Sequence, residues 1–366
     1  MDDSADGLYL GLISGTSMDG VDAALIDRTG HRVKLIAAAS TPYPDALLAA
    51  LQMLIANGGD TQALYQCDVA TGETFAAAAQ SVLKRSGVEP RAVRAIGSHG
   101  QTVLHCPQQG FSVQIGDGAR ISQQTGIVTV CDFRRADLAA GGEGAPLAPI
   151  FHQAVFSADE ARAVLNLGGI ANLTLLQPGA DTRAFDVGPA NTLLDALARA
   201  TSGDRYDRDG ALAAQGTIDT ALLDDLLADP WFAAPPPKST GPEYFHLAWV
   251  RRHARANLIA PADLAATLAE LTAASVTQAL QEHGAGVNTL YVCGGGVHNP
   301  ELMRRLHARL PGVELTSTAT LGVDPDYVEA MCFAWLAGET LAARPGNLPA
   351  VTGARRAAVL GALHRP

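Results

Sequence analysis

The feature that most constrains this chain is a motif that occurs twice: an apolar run, a short turn of small residues, then a second apolar run. The first copy is "GLISGTSMDGVDAALID", Gly11 to Asp27, and the second is "RAVLNLGGIANLTLLQ", Arg162 to Gln177. Apolar runs bounded by turn residues read as strands, so each half of the chain holds a strand-turn-strand unit. A plain hairpin needs only a two-residue turn such as Asn-Gly. The first copy instead spans Gly15 to Gly20, crowded with Ser, Thr and Asp, and the second turns at Gly168 to Asn172.

The surrounding pattern is α/β. Leu8 to Ser14, Val21 to Asp27 and Arg32 to Ser40 read as strands, followed by helices over Pro44 to Ala56 and Thr61 to Ser86. "AVRAIGSHGQTV" and "GIVTVCDFRRAD" supply two more strands, and "TLYVCGGGVHN" another, bracketed by helices at Leu264 to His283 and Tyr327 to Ala343. "FDVGPAN" is a strand passing into a helix; "DPWFAAPPPKSTGPEYF" is a long Pro-rich loop whose length suggests binding or mobility. At 366 residues the chain exceeds one ordinary core, so two domains are expected, over 1–135 and 136–366, with the C-terminal segment able to pack back on the first.

A net charge of −11 argues against non-specific nucleic-acid binding, which depends on Lys and Arg neutralising phosphates, although a local basic pocket for a phosphorylated ligand remains compatible with it. The acidic "MDDSADG" start has no apolar core of a signal peptide, and no run approaches the roughly 18 apolar residues of a membrane span. Cys67, Cys106, Cys131, Cys293 and Cys332 are scattered without a CxxC pair, which fits a reducing compartment better than disulfides or zinc.

The opening turn is not a Walker A loop, because Val21 follows Gly20 where Lys should stand; nor is Ser17 in a nucleophile elbow, because Asp19 replaces the second Gly. What remains is a turn rich in backbone N–H groups with the Thr16 and Ser17 hydroxyls, suited to an anion, or else an irregular hairpin. In "VCGGGVHNP", Gly294, Gly295 and Gly296 end a strand and Asn299-Pro300 open a helix, where a ligand can approach the backbone. The spacing is not GxGxxG, which disfavours a dinucleotide dehydrogenase. Asp186 in "FDVGPAN" is either a helix cap or a base. His99, Gln101 and Thr102 of "SHGQT", with Arg134, Asp137 and Glu143, offer donors and acceptors for a polyhydroxylated ligand. On pattern alone, Glu329 reads as a solvated residue on an amphipathic helix.

These stretches, together with "PPKSTGPEYF", "DPDYVEAMCFAWLA" and "PGNLPAVTGA", resemble the anhydro-N-acetylmuramic acid kinases from about residue 8 to the C-terminus. The resemblance implies a two-lobed actin-like, sugar-kinase-like fold, each lobe an RNase H-like sheet flanked by helices, closing on ATP. It implies that the chain uses ATP, Mg²⁺ and water to open 1,6-anhydro-N-acetylmuramic acid and phosphorylate O6, in cytoplasmic peptidoglycan recycling, as a homodimer. The implied nucleotide contacts are Gly15, Thr16, Ser17, Met18, Asp19, Gly20, Val21 and Asp22, then Gly168, Gly169, Gly294, Gly295, Gly296 and Asn299. Asp186 is the implied base and Glu329 a second catalytic carboxylate near the metal and the reacting water, as metal ligand or second base; Asp19 and Glu329 are the implied metal ligands, and His99, Gln101, Thr102 and Arg134 the sugar contacts. Where many relatives of the fold place an Asp before the first glycine turn, this chain has Leu12-Ile13-Ser14; the usual "DTGPGN" reads "DVGPAN" here. The alternatives are another sugar kinase of the same fold, or a nucleotide switch without sugar chemistry.

Overall fold

A computed structural model describes residues 5–15, Met18, 20–30 and 32–366. Thr16, Ser17 and Asp19, named above as nucleotide or metal contacts, lie outside the described residues. The chain forms two compact units, one of residues 1–155 with 322–366 and one of residues 156–321. The division thus falls at 155/156 and 321/322, whereas the sequence reading put it at 135/136. The cause is local to the first unit: the buried Asp137 carboxylate accepts from the Gly144 N–H (2.8 Å) and from Asn347 and Thr352 side chains, binding the C-terminal segment to the Arg134–Ala139 helix.

The first sheet contains β1 (Gly7–Ser14), β2 (Val21–Thr29), β3 (Arg32–Thr41), β4 (Val93–Cys106), β5 (Phe111–Ile115), β6 (Thr129–Cys131) and, much later in the chain, β12 (Ala362–His364). Its order is β12-β6-β4-β1-β2-β3, with β5 on the end of β4. The second sheet contains β7 (Arg162–Leu167), β8 (Ile170–Leu176), β9 (Arg183–Pro189), β10 (Thr289–Cys293) and β11 (Glu314–Ser317), ordered β11-β10-β7-β8-β9. The repeat is therefore real: in both units the middle strand of the first three is antiparallel to its neighbours, and two later strands, β4 then β6 in the first unit and β10 then β11 in the second, extend the sheet in parallel on the other side of the first strand.

Alternation decides the faces in the first unit. Leu10, Leu12, Val21, Ala23 and Leu25 pack with Leu51, Phe75 and Val82 of the Asp45–Asn57 and Thr61–Ser86 helices. The intervening positions, Gly11 and Asp22 among them, face the other side, where the Val328–Leu341 helix lies. A Cβ at Gly11 would collide with the Ala330 carbonyl and one at Gly97 with that of Phe333, so glycine lets this helix rest directly on β1 and β4. The helix is not amphipathic, as expected, but buried all round; between Val328 and Thr340 only Glu329 is exposed. Arg28 of β2 anchors its far end through Glu339 (2.6 Å) and Trp335 (5.0 Å to the ring centre).

In the second unit Leu165, Leu173 and Val187 pack against Ala273, Val276 and Leu280 of the Pro261–His283 helix and Leu302 and Leu306 of the Pro300–Arg309 helix. Two sequence readings are corrected. "GIVTVCDFRRAD" is a strand only over Thr129–Cys131, because Asp132 turns into left-handed backbone (φ 60°) and a helix begins at Arg134. The second hairpin turns at Gly168-Gly169 alone, since Ile170 to Asn172 already pair in β8.

Candidate functional site

Asp186 owes its setting to an irregularity in β9. Asn172 pairs with Asp186 and Ala171 with Gly188, which leaves Val187 as an extra residue. Such a bulge re-aims neighbouring side chains. The Asp186 N–H donates to the Lys238 carbonyl (3.0 Å), and its carboxylate accepts from the Thr240 N–H (2.8 Å). The cap role left open above is not taken: Ala190 stands at the cap position of the Asn191–Thr201 helix with no side-chain cap, and the N–H groups of Ala190, Asn191 and Thr192 donate to the Gly168 and Gly169 carbonyls. Burial pushes the Asp186 carboxyl up to about 6, with Glu243 adding and the Thr240 N–H and Lys238 opposing. Near neutrality such a group is mostly ionised yet more basic than an ordinary carboxylate, the balance a general base needs.

The glycines divide by cause. Gly294 has φ 79° and a Cβ there would strike Asn166, while one at Gly296 would strike Leu167, so both are needed to seat the end of β10 against the end of β7. Gly168, Gly169 and Gly295 have neither positive φ nor crowding; a Cβ would meet nothing nearer than 3.6 Å, 3.8 Å and 4 Å respectively. The fold does not ask for glycine at these three positions, which makes them the candidates for close approach of a ligand. Asn299 is buried and caps the Pro300–Arg309 helix, its Oδ1 accepting from Leu302 N–H at 3.0 Å. That oxygen is therefore committed to the fold.

In the first unit the Gly15 carbonyl accepts from Met18 N–H (3.2 Å) and Gln101 Nε2 (3.5 Å), and Met18 holds φ 54°. Gly15 is exposed, Gly20 and Val21 are buried, and Asp22 is half-buried. Gln101 is buried and also donates to the Thr102 carbonyl, while the Thr102 hydroxyl accepts from Gln114 (3.1 Å). Both residues are thus engaged by the protein itself.

His99, Arg134 and Glu329 are brought together. His99 is buried against Phe333; its Nδ1 lies 2.9 Å from the Gly100 carbonyl, and Nε2 accepts from Arg134 Nε at 3.0 Å. This makes it a neutral ring with the proton on Nδ1, and burial followed by the Arg134 charge holds its pKa well below the usual value. The Arg134 guanidinium also donates to the Gly144 carbonyl (2.7 Å). Burial lowers Arg134 to about 10, against the stabilising charge of Glu329. Glu329 is reached by water, but the protein crowded about it raises its carboxyl, with Arg134 opposing and Asp22 adding. Among the described residues no three His, Cys, Asp or Glu side chains are grouped to hold a metal ion.

Two positions that frame Asp186, Lys238 and Thr240, had not been singled out. Their signal was a lone Lys in an otherwise Pro-rich stretch.

The repeated sheet order, with turns at matching places, defines the actin-like, sugar-kinase-like α/β fold. In keeping with it, component A of (R)-2-hydroxyglutaryl-CoA dehydratase from Acidaminococcus fermentans superposes with a TM-score of 0.50 at 13% identity, covering 90% of this chain and 98% of that one. A likeness at that identity speaks for the fold alone. The family is settled by sequence: the family model described as anhydro-N-acetylmuramic acid kinase matches residues 7–366, and the chain belongs to that family. Proteins named anhydro-N-acetylmuramic acid kinase are 54% identical in Xanthomonas axonopodis pv. citri (98% of each chain) and 49% identical in Xylella fastidiosa (98% of this chain, 96% of that one). One from Pseudomonas syringae pv. tomato is 46% identical over 98% of this chain and 99% of its own.

Proposed function

We propose that the protein is an ATP-dependent phosphotransferase that hydrolytically opens the ring of 1,6-anhydro-N-acetylmuramic acid and phosphorylates it at O6, giving N-acetylmuramic acid 6-phosphate and ADP. The family match over residues 7–366 carries the substrate, and the setting of Asp186 carries the chemistry. Asp186 removes a proton from water as its oxygen bonds to C1; the C1–O6 bond breaks, and O6 attacks the γ-phosphorus while ADP leaves. The leaving oxygen is itself the nucleophile, so no second base is required for it.

The first hairpin and Gly168, Gly169 and Gly295 supply backbone approach to the nucleotide. Arg134, held by His99, reads the sugar or its developing charge. Glu329, whose carboxyl feels the Asp22 charge, offers hard oxygen that suits Mg²⁺, which when bound spreads charge on the phosphoryl group; a contribution from Asp19 is proposed on sequence alone. The reaction belongs to cytoplasmic recycling of cell-wall fragments. A homodimer is the proposed assembly, supported by the exposed apolar Met53 and Tyr65 on neighbouring helices of the first unit; light scattering after gel filtration tests it.

Incubation with ATP and the anhydro-sugar in oxygen-18 water tests the reaction. A reducing sugar phosphate labelled at C1, with unlabelled phosphate, is expected. A nucleotide switch would give ADP and inorganic phosphate whether or not sugar is present, and label in the phosphate would overturn the reaction order.

A further inference from the structure

The Pro-rich segment between Asp229 and Trp249 is fastened at three places. At its base, Asp229 accepts from Tyr244 Oη (2.8 Å) and Trp249 Nε1 (2.8 Å). In its middle, Lys238 Nζ donates to the carbonyls of Phe232 (2.8 Å) and Trp231 (3.2 Å) and sits 4.3 Å from the centre of the Trp231 ring. At its tip, the Lys238 carbonyl and the Thr240 N–H take the backbone and the carboxylate of Asp186. Trp231 is itself wedged edge-on against Phe232 and Phe245. Lys238 therefore joins the aromatic cluster to the two backbone groups gripping Asp186.

We propose that Lys238 is a positioning residue, a pin that holds the 238–240 backbone against Asp186 and so sets both the aim and the acidity of that carboxylate. The inference rests on Asp186 being the base. Two carbonyls at the end of a helical turn make a natural socket for an ammonium group, and the aromatic face beside it adds a cation–π contact. The charged groups bearing on Asp186 are Lys238, which with the Thr240 N–H favours the ionised form, and Glu243, which opposes it. Glu282 and Asp186 in turn favour the charged form of Lys238, against the effect of its burial.

The test is the pH dependence of kcat/KM in Lys238→Met, which keeps the stem on Trp231 but removes the donors and the charge. Loss of the ammonium and loosening of the Thr240 contact both raise the Asp186 pKa, so the acidic limb should move to higher pH by about half a unit or more. Activity at neutral pH should fall about tenfold, since a loosened hydrogen bond to a charged group is worth roughly that much. Lys238→Arg, which can reach both carbonyls, should return the limb to its wild-type position. If Lys238→Met does not fold, Lys238→Gln, lacking the charge, is measured with the same expected limb. A rate loss equal at every pH, with the limb unmoved, would overturn the pin and leave Lys238 a packing residue. Asp186→Asn separates the two readings: if that variant keeps near wild-type activity the base assignment fails, whereas an inactive Asp186→Asn with an unmoved Lys238→Met limb refutes the pin alone.

Discussion

The two units carry the same sheet order and place different chemistry on it. In the second, the third strand of the repeat, β9, bears the half-buried Asp186, re-aimed by a bulge and gripped by the 238–240 backbone. In the first, the corresponding strand β3 bears no such acid, and the ionisable groups come from elsewhere: Arg134 after β6, and Glu329 at the start of a helix laid on β1 and β4. Both carboxyls are raised, but Asp186 is opposed by a backbone N–H and Glu329 by a guanidinium. A duplicated scaffold fixes where the turns fall, while the loops and helices added after each strand decide the chemistry.

The sharpest way to break this contrast is Asp186→Asn. It keeps the shape and the Thr240 contact but removes the base, so the rate of sugar phosphate formation should fall by about 10² to 10⁴, with sugar and ATP still binding in calorimetry. The same variant should melt higher at pH 7.5. Because the folded carboxyl is raised above its unfolded value, stability falls as pH rises from about 4 to 6, and above that the ionised form carries the full penalty. A lower Tm in Asp186→Asn would show that the burial cost has been misjudged.

Arg134→Met should cost less, about 10- to 100-fold in kcat/KM, as expected for a hydrogen-bonded charge with neighbouring carboxylates left uncompensated. Steady-state kinetics with the anhydro-sugar varied would show it, and a variant of unchanged kcat/KM would remove Arg134 from the site. The glycines sharpen the comparison from another side. Gly169→Ala should weaken ATP binding about tenfold or more by calorimetry with little change in Tm, because the fold has room for the added Cβ. Gly296→Ala should instead destabilise the protein by about 1–3 kcal/mol through collision with Leu167. The smallest effect is expected of His99→Leu, which reaches the substrate only through Arg134 and leaves the Arg134 Nε and the Gly100 carbonyl without their partners: about a fivefold loss in kcat/KM.

How much of this was legible depends on how local the cause is. The two hairpins are legible because β1, β2, β7 and β8 are apolar runs cut by glycine, and the helix Thr61–Ser86 from its Ala-rich run, with the structure adding the Asp60 cap and Gly87 that close its ends. The surroundings of Glu329 were not readable, since an apolar run with one acid gives the same pattern whether the helix is half or wholly buried. That burial depends on Gly11 and Gly97, hundreds of residues earlier in the chain. Asp137 looked like a ligand-reading group and is a structural knot, because its partners Asn347 and Thr352 lie far along the chain. Asp186 stands out in the sequence as a strand-end acid, but its setting depends on Lys238 and Thr240, more than fifty residues on and beyond several helices.

In the proposed reaction a carboxylate made unusually basic by burial, Asp186, acts in its ionised form as the base that starts the chemistry. The pH dependence of kcat/KM for the anhydro-sugar, at saturating ATP and magnesium, is the decisive measurement because it reports the essential groups of the enzyme–ATP complex that meets the sugar. Activity is expected to fall about tenfold per pH unit once the pH drops below about 6, the value to which burial pushes Asp186. Activity that stays level from pH 7.5 down to 5 would contradict it.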